Sequence, residues 1–443
     1  MLLQTSNSSL LDETHDLSRK SWVTASNDTD ADFPIQNLPL GVFSPDGKEY
    51  RVGVAIGDQI FDVNAGISAK LLTLAPQIVE ALQGCTLNPL FSLGRPASRQ
   101  FRRAVGNLLD AGTAEGLEAA RIAHRLLFPM SACSMKLPTK VGNYSDFYAG
   151  IYHARAAGAL FNPEEPLPPN YKWMPIGYHG RASSVRISDG AIRRPKGQRL
   201  RGSQIPSVGP CEQLDFELEL GVHVGTGNAL GEPINIGDAA DHVAGISLLN
   251  DWSARDIQRW EMRPLGPFLG KSFSTTVSPW VVTIDALEPY RVPAFARDED
   301  DPAPLAYLSD SRDIANGGFD INLEVFLRTA EMSRVGLPAE RIISSNARYL
   351  YWTVAQMITH HSSGGCNLQP GDLIGTGTIS GPTRGELSSL LELTYDGREP
   401  IQFVNGESRS YLEDGDEVTF TAACRRDGYR KIGFGQAVAT ILP

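Results

Sequence analysis

The sequence predicts a mixed fold dominated by β structure, and three observations carry that expectation. Residues 41–63 read as short strands, with Pro45-Asp46-Gly47 and Gly57-Asp58 supplying turn residues between apolar runs. Residues 68–128 read mostly helical. From residue 138 onward the chain is strand-rich, with many Gly and Pro between short apolar runs.

Taken in order, residues 1–32 are polar and rich in Ser, Thr, Asp and Asn, which predicts a mostly disordered extension. Residues 33–137 form the expected first domain. Within its helical stretch Leu71, Leu72, Leu74, Ile78, Val79 and Leu82 approximate one apolar stripe, and Pro76 marks a break between two helices. Residues 129–138 mark the boundary to a second domain, 138–443. There Leu214, Phe216, Leu218 and Leu220 alternate along one strand face, which puts Glu217 and Glu219 on the other. Residues 234–243 suggest a short helix and 244–249 a strand, with Asp251 just past it. Residues 345–361 predict the main C-terminal helix, closed by Gly364-Gly365. Tyr395-Asp396-Gly397 and Glu413-Asp414-Gly415-Asp416 read as tight turns, and residues 298–304 as a solvated acidic loop.

Composition narrows the function classes. A chain of 443 residues with 42% hydrophobic content suffices for two domains. A formal net charge of -11 argues against nucleic acid or an anionic membrane surface as partner. No apolar run approaches the roughly 20 residues that span a bilayer. The N-terminal stretch has no signal-peptide core and is too acidic for a mitochondrial presequence, so a cytoplasmic protein is expected. Cys85, Cys133, Cys211, Cys366 and Cys424 form no CxxC pair and read as reduced thiols. Asn7, Asn27 and Asn143 fit the N-glycosylation pattern by chance in such a setting.

The chemistry-bearing residues are Asp146, Glu217, Glu219 and Asp251, each embedded among large apolar neighbours, together with His153. Buried carboxylates are costly unless a cation offsets them. Oxygen-only ligands suit Ca²⁺ or Mg²⁺, and a nearby histidine suggests catalysis. Each residue alone has an ordinary reading. Glu217 and Glu219 suit a solvated strand face, Asp146 a turn, and His153 a structural histidine. His360-His361 ends a helix, where positive charge is favourable, and His179 lies in a Gly-bearing loop. The stretch Gly266-Pro267-Phe268-Leu269-Gly270-Lys271-Ser272 ends like a phosphate loop, but Leu265 occupies the position of the required first glycine. No Gly-x-Ser-x-Gly elbow and no His-Glu-x-x-His helix occurs.

At these residues the chain resembles the fumarylacetoacetase (fumarylacetoacetate hydrolase) family. The matching segments are Asp146-Phe147-Tyr148, Gly177-Tyr178-His179-Gly180-Arg181-Ala182-Ser183-Ser184, residues 250–258, residues 264–273 and Gly377-Thr378-Ile379-Ser380-Gly381. Phe33-Pro34-Ile35-Gln36-Asn37-Leu38-Pro39 opens the family's N-terminal domain, so the resemblance runs from about residue 33 to the C-terminus. It implies an N-terminal SH3-like barrel, a C-terminal mixed β-sandwich roll, a homodimer, and metal-dependent hydrolysis of a carbon–carbon bond in a β-diketo acid. By default that acid is fumarylacetoacetate, the last intermediate of tyrosine and phenylalanine catabolism. Residue by residue, Asp146, Glu217, Glu219 and Asp251 match the ligands of a divalent ion, Ca²⁺ or Mg²⁺. Lys271 and Thr275 match positions lining an adjacent Mg²⁺ site. His153 matches the general base and Glu392 the carboxylate that orients it. Arg255, Gln258 and Lys271 match the groups that meet the developing oxyanion, and Tyr148 and Thr378 match substrate contacts.

Two positions depart from the family pattern. Asn162 stands where the family has Arg, and Met262 where it has Tyr; both family residues contact substrate. A neutral amide does not replace a bidentate cation. Arg155 and Arg263 are the nearby candidates to compensate. The departures admit a paralogue acting on another 1,3-diketone or acylpyruvate, or a decarboxylase or hydratase. A non-catalytic metal-binding protein is the remaining alternative, and it leaves His153, Glu392 and Lys271 without a reason to co-occur.

Overall fold

The computed structural model describes residues 10–188, 190–200, 202 and 205–443. The N-terminal unit is built on an antiparallel meander of Leu40–Ser44, Arg51–Ile56 and Gln59–Asp62. Leu127–Pro129 pairs with the outer side of Gln59–Asp62, and Ser134–Lys136 with the outer side of Leu40–Ser44, giving five strands. Gly57 closes the tight hairpin at φ +57°, where a Cβ would lie 2.7 Å from the Ser26 amide nitrogen. The helical stretch comprises Val63–Ser68, Pro76–Leu82, Asn88–Ser92, Gly94–Leu109, Ala114–Arg121 and Ala123–Leu126. The expected break between two helices falls at residues 69–75, which removes Leu71, Leu72 and Leu74 from the helical stripe, and Pro76 opens the second helix, since its missing N–H is one of the unpaired donors there anyway. Phe101, Val105, Leu108 and Leu109 turn inward from the longest helix onto Ile78, Leu82 and Phe91.

Residues 10–32 depart from the expected disorder. Asp12 closes a capping box over the short turn Glu13–His15, in which Thr14 and His15 are buried. Arg99 and Arg103 each reach Asp12 Oδ2 at 3.0 Å, and His15 Nε2 lies 2.8 Å from the Asp285 carbonyl oxygen. Low hydrophobicity suggested an extension that could not order itself. The cationic face of Gly94–Leu109 orders it by supplying partners far away in sequence. Residues 1–9, with Asn7, lie outside the described residues.

The larger unit is built on two large sheets, with shorter two-stranded pairs beside them. In the first, the order is Gly177–Gly180, Tyr144–Phe147, Leu373–Gly375, Leu218–Val224, Val243–Asp251, Thr275–Val277 and Val185–Ile187, with Val282–Thr283 also paired to Val243–Asp251. In the second it is Glu340–Asn346, Asn322–Arg328, Glu417–Cys424, Ile432–Leu442 and Gly190–Arg193. Their apolar faces share one core, where Phe216 packs edge-on against Phe420 with ring centroids 5.7 Å apart. The two units are joined backbone to backbone: Leu40 and Val281 exchange hydrogen bonds of 2.9 and 2.8 Å. The result is a mixed α/β architecture.

Three element boundaries differ from the expectations. The helix expected over 345–361 is instead the end of the strand Glu340–Asn346, a turn Ala347–Tyr349 and the helix Val354–Ser362. Asn346 turns the chain by capping Arg348, and the capping box of Thr353 and Gln356 starts the helix late. Residues 234–243 contain only the turn Ala239–His242. The alternating run at 214–224 is broken into Leu214–Asp215 and Leu218–Val224, because Leu214–Asp215 leaves the main sheet to pair with Ser253–Ala254. Among the described residues, no helix is long and apolar enough to cross a membrane.

Candidate active site

Strands of the first sheet bring the carboxylates together. Tyr144–Phe147 carries Asp146, Leu218–Val224 carries Glu219, and Asp251 is the last residue of Val243–Asp251. One oxygen from each of Asp146, Glu219 and Asp251 lies within 4.8 Å of the others, and all three residues are buried. Leu373–Gly375 runs between the first two strands and sets Gly375 beside Asp146 in parallel register. A Cβ on Gly375 would fall 2.3 Å from Asp146 Oδ1 and 3.1 Å from Glu219 Oε2, so the gap between these carboxylates depends on glycine. Glu219 Oε2 accepts a 3.0 Å hydrogen bond from the Gly377 amide, whereas Asp146 Oδ1 and Glu219 Oε1 are buried with no hydrogen-bond partner among the described residues. Burial and then the neighbouring Asp251 push the Asp146 carboxyl well above its usual range. Burial and then Asp146 do the same to Glu219. Three clustered carboxylates with two orphaned oxygens fit a hard divalent cation, which supplies the missing charge and accepts oxygen donors alone.

A cationic wall stands beside this group. Lys271 Nζ donates to Glu217 Oε2 at 2.6 Å and to Asp251 Oδ2 at 2.7 Å. Tyr178 OH donates to the same Asp251 oxygen at 2.8 Å, and Thr275 Oγ1 to Asp251 Oδ1 at 3.2 Å. Burial disfavours the Lys271 ammonium, but Asp251 and Glu217 outweigh it and hold the group protonated. Glu217 lies outside the close group of three. The strand break at Phe216 turns it toward Lys271 and toward Arg255, whose Nη1 is 2.7 Å from Glu217 Oε1. Burial would raise the Glu217 carboxyl; Lys271 and Arg255 hold it well below its usual range. A cavity of about 190 Å³ opens beside Lys271 and Thr275, walled by Tyr144, Tyr178, His179 and Arg181. The Gly-Lys-Ser run thus delivers its lysine to carboxylates.

His153 lies in the first turn of the helix Ile151–Phe161, and its Nδ1 is 2.7 Å from Glu392 Oε2. Glu392 also accepts from Ser380 Oγ at 2.8 Å and from Ser389 Oγ at 2.7 Å. Burial would raise the Glu392 carboxyl, but His153 and the two hydroxyls hold it below its usual range. Arg255 opens the helix Arg255–Glu261, with Nε bonded to Asp215 Oδ2 at 2.9 Å and Nη1 also 3.2 Å from Gln258 Oε1. An ionised carboxylate on one imidazole nitrogen leaves the other to accept a proton. The buried guanidinium and ammonium beside it are suited to meet negative charge.

Residues 143–442 match the family description "Fumarylacetoacetate (FAA) hydrolase C-terminal", and residues 36–138 match "Fumarylacetoacetase N-terminal". The chain is 48% identical to the fumarylacetoacetase of Bos taurus over 94% of its own length and 97% of that protein. It is 47% identical to the fumarylacetoacetase of Homo sapiens over the same shares. The chain belongs to the fumarylacetoacetate hydrolase family. The fumarylacetoacetase of Oryza sativa subsp. japonica is 46% identical, over 93% of this chain and 95% of that protein.

Of the remaining positions expected from the family pattern, Tyr148 lies against His153 and Thr378 follows Gly377, whose amide bonds Glu219. Tyr148 meets His153 edge-on with ring centroids 5.5 Å apart, and Thr378 is buried with its Oγ1 unpartnered. Asn162 and Met262 stand at the C-terminal ends of the helices that carry His153 and Arg255, and both side chains are exposed. Arg155 is engaged by Asp298 at 3.3 Å. His360 and His361 stay apart from the carboxylates, 2.9 Å from Tyr307 OH and 2.7 Å from Ser145 Oγ respectively. Sequence reasoning missed Asp215, Gly375, Ser380 and Ser389. Only Ser389 carried a readable signal, the Ser-x-x-Glu spacing that caps the helix Leu390–Leu393.

Proposed function

We propose that this protein hydrolyses a carbon–carbon bond of a β-diketo acid, converting 4-fumarylacetoacetate and water to fumarate and acetoacetate, a step of tyrosine and phenylalanine catabolism. The observation that carries the reading is the His153–Glu392 pair, 2.7 Å apart, in a chain 48% identical to a fumarylacetoacetase. Asp146, Glu219 and Asp251, with Glu217 as fourth carboxylate, would hold a Ca²⁺ or Mg²⁺ ion. When bound, that ion supplies positive charge to the diketone oxygens. Glu392 fixes the proton of His153 on Nδ1, so Nε2 takes the proton of the attacking water. Arg255, Gln258 and Lys271 meet the oxyanion of the tetrahedral adduct; one such donor is worth about 3–4 kcal/mol of barrier. Tyr148 and Thr378 bound the substrate, and Thr275 lines the neighbouring cation position.

The same reading includes the family's SH3-like form for the N-terminal sheet, a homodimer and a cytoplasmic location. Free thiols at all five cysteines suit a reducing compartment. Exposed apolar side chains at Leu265 and Phe268, 97% and 68% accessible, suit a partner surface. The test is the decay of fumarylacetoacetate absorbance. Metal-loaded protein accelerates it and metal-free protein does not; equal rates refute the reading.

Asn162 and Met262 favour a second reading, the same machinery acting on a different 1,3-diketone or acylpyruvate. Restoring Arg at 162 and Tyr at 262 then raises kcat/KM for fumarylacetoacetate by about tenfold or more, as expected for a regained charged contact. No gain counts against it.

A further inference from the structure

We propose that Asp215 is a positioning residue for this reaction, its single carboxylate setting both the guanidinium of Arg255 and the short helix that carries Glu392. The inference rests on the hydrolase reading above.

Asp215 is fully buried, and all of its hydrogen bonds are accounted for. Oδ1 accepts from the Phe216 amide at 2.8 Å and the Leu390 amide at 2.7 Å. Oδ2 accepts from the Leu391 amide at 2.9 Å and from Arg255 Nε at 2.9 Å. The amides of Leu390 and Leu391 are the first two of the helix Leu390–Leu393, and Glu392 is its third residue. One rigid, planar carboxylate therefore spans from the backbone of the residue before Glu392 to the side chain of Arg255. Ser389 and Ser380 hold the Glu392 side chain, and Asp215 ties the backbone of its helix to Arg255 on the opposite wall of the site.

The Arg255 end of the bridge has its own consequence. With Nε on Asp215 and Nη1 on Glu217 and Gln258, the guanidinium plane is fixed at two of its three nitrogens. The third, Nη2, is buried and has no hydrogen-bond partner among the described residues. A buried donor left unpaired is costly, and at a reaction centre it is placed to bond charge that develops only in the transition state. Loss of Asp215 frees the guanidinium to turn about its own axis and loosens the base-orienting helix together. Substrate binding at Tyr148 and the carboxylate group is left in place.

The experiment uses the full-length, metal-loaded enzyme with Asp215→Asn, Asp215→Glu, Glu392→Gln and the Asp215→Asn/Glu392→Gln double variant. Asparagine turns one acceptor oxygen into a donor facing other donors. The expected result is a fall in kcat of about 50-fold or more, with KM within about threefold. Affinity for Ca²⁺ by calorimetric titration stays within about twofold. Asp215→Glu, which keeps both acceptor oxygens, recovers at least about a tenth of the wild-type kcat, and it carries the comparison alone if Asn prevents folding. Because Asp215 acts through Glu392 as well as Arg255, the double variant falls below Glu392→Gln by much less than the product of the single effects. A kcat within twofold of wild type, fully multiplicative effects, or parallel loss of kcat and Ca²⁺ affinity overturns the positioning role. An inactive wild type overturns the hydrolase reading, and this inference with it; an active wild type with an unimpaired Asp215→Asn variant overturns this inference alone.

Discussion

Glu392 Oε2 stands 2.7 Å from His153 Nδ1, across 239 positions of sequence (392 − 153), with both side chains almost wholly buried. The carboxylate is ionised because His153, Ser380 and Ser389 together outweigh its burial. Removing either member breaks the base without touching the carboxylate group. His153→Ala and Glu392→Gln are each expected to lower kcat by about 10²–10⁴-fold, the usual range for a lost general base. Calcium affinity should survive in both. A variant of either kind that retains wild-type kcat would sink the pairing as the proton-accepting device.

Gly375 separates Asp146 from Glu219. A Cβ there would sit 2.3 Å from Asp146 Oδ1, well inside contact distance, and the strand backbone around it is locked by pairing on both sides. Gly375→Ala should weaken Ca²⁺ or Mg²⁺ binding by about tenfold or more, because coordination tolerates little displacement of a ligand oxygen. Calorimetric titration reads the effect directly. Undiminished affinity would place the ion elsewhere.

Glu217 is the hinge of the cationic wall, bonded to Lys271 at 2.6 Å and Arg255 at 2.7 Å. Glu217→Gln leaves two buried cations with one carboxylate partner fewer, since Asp251 and Asp215 remain to them. Destabilisation of about 2–3 kcal/mol is expected, in the range of a lost charged hydrogen bond in the interior. Urea unfolding of both proteins measures it, and an unchanged midpoint would contradict the assignment.

His223 gives a pH dependence. Its ring is buried where the two units meet, with Nε2 2.9 Å from Ser247 Oγ and Nδ1 3.3 Å from Thr139 Oγ1. Ser247 gives its own proton to the Trp280 carbonyl, so Nε2 must be the donor and Nδ1 the acceptor of a neutral imidazole. Burial lowers its pKa from 6.5 to about 4. The unfolded chain therefore binds this proton more readily than the folded one. The stabilisation is complete above pH 6.5, declines as pH falls, and is gone below about 4. The full effect is on the order of 3 kcal/mol. Stability measured at pH 7 and pH 4.5 should drop further for wild type than for His223→Gln; equal drops would refute it.

How much of this was legible in the sequence depends on the range of the interaction. The strands of 41–63 and the turns at Tyr395-Asp396-Gly397 and Glu413–Asp416 were readable because turn residues act on their own backbone. Asp396 and Gly397 do take the positive φ such turns need. The helix expected from residue 345 was misplaced because apolar spacing ignores Asn346 and Thr353, whose caps decide where a helix can begin. The disorder expected for residues 10–32 failed for the opposite reason: the partners Arg99, Arg103 and Asp285 lie far along the chain.

By itself, the sequence determined the class of the fold and the family of the chain, and it named the candidate site residues, because side-chain type and local spacing are written there. Only the tertiary structure decided which of them meet. It drew Asp146, Glu219 and Asp251 into one group, turned Glu217 to Lys271 and Arg255, and brought Asp215 and Gly375 into play. The physical reason is that these relations depend on strand order and on a break in one strand at Phe216. Both are settled by packing of the whole chain rather than by any residue's neighbours in sequence.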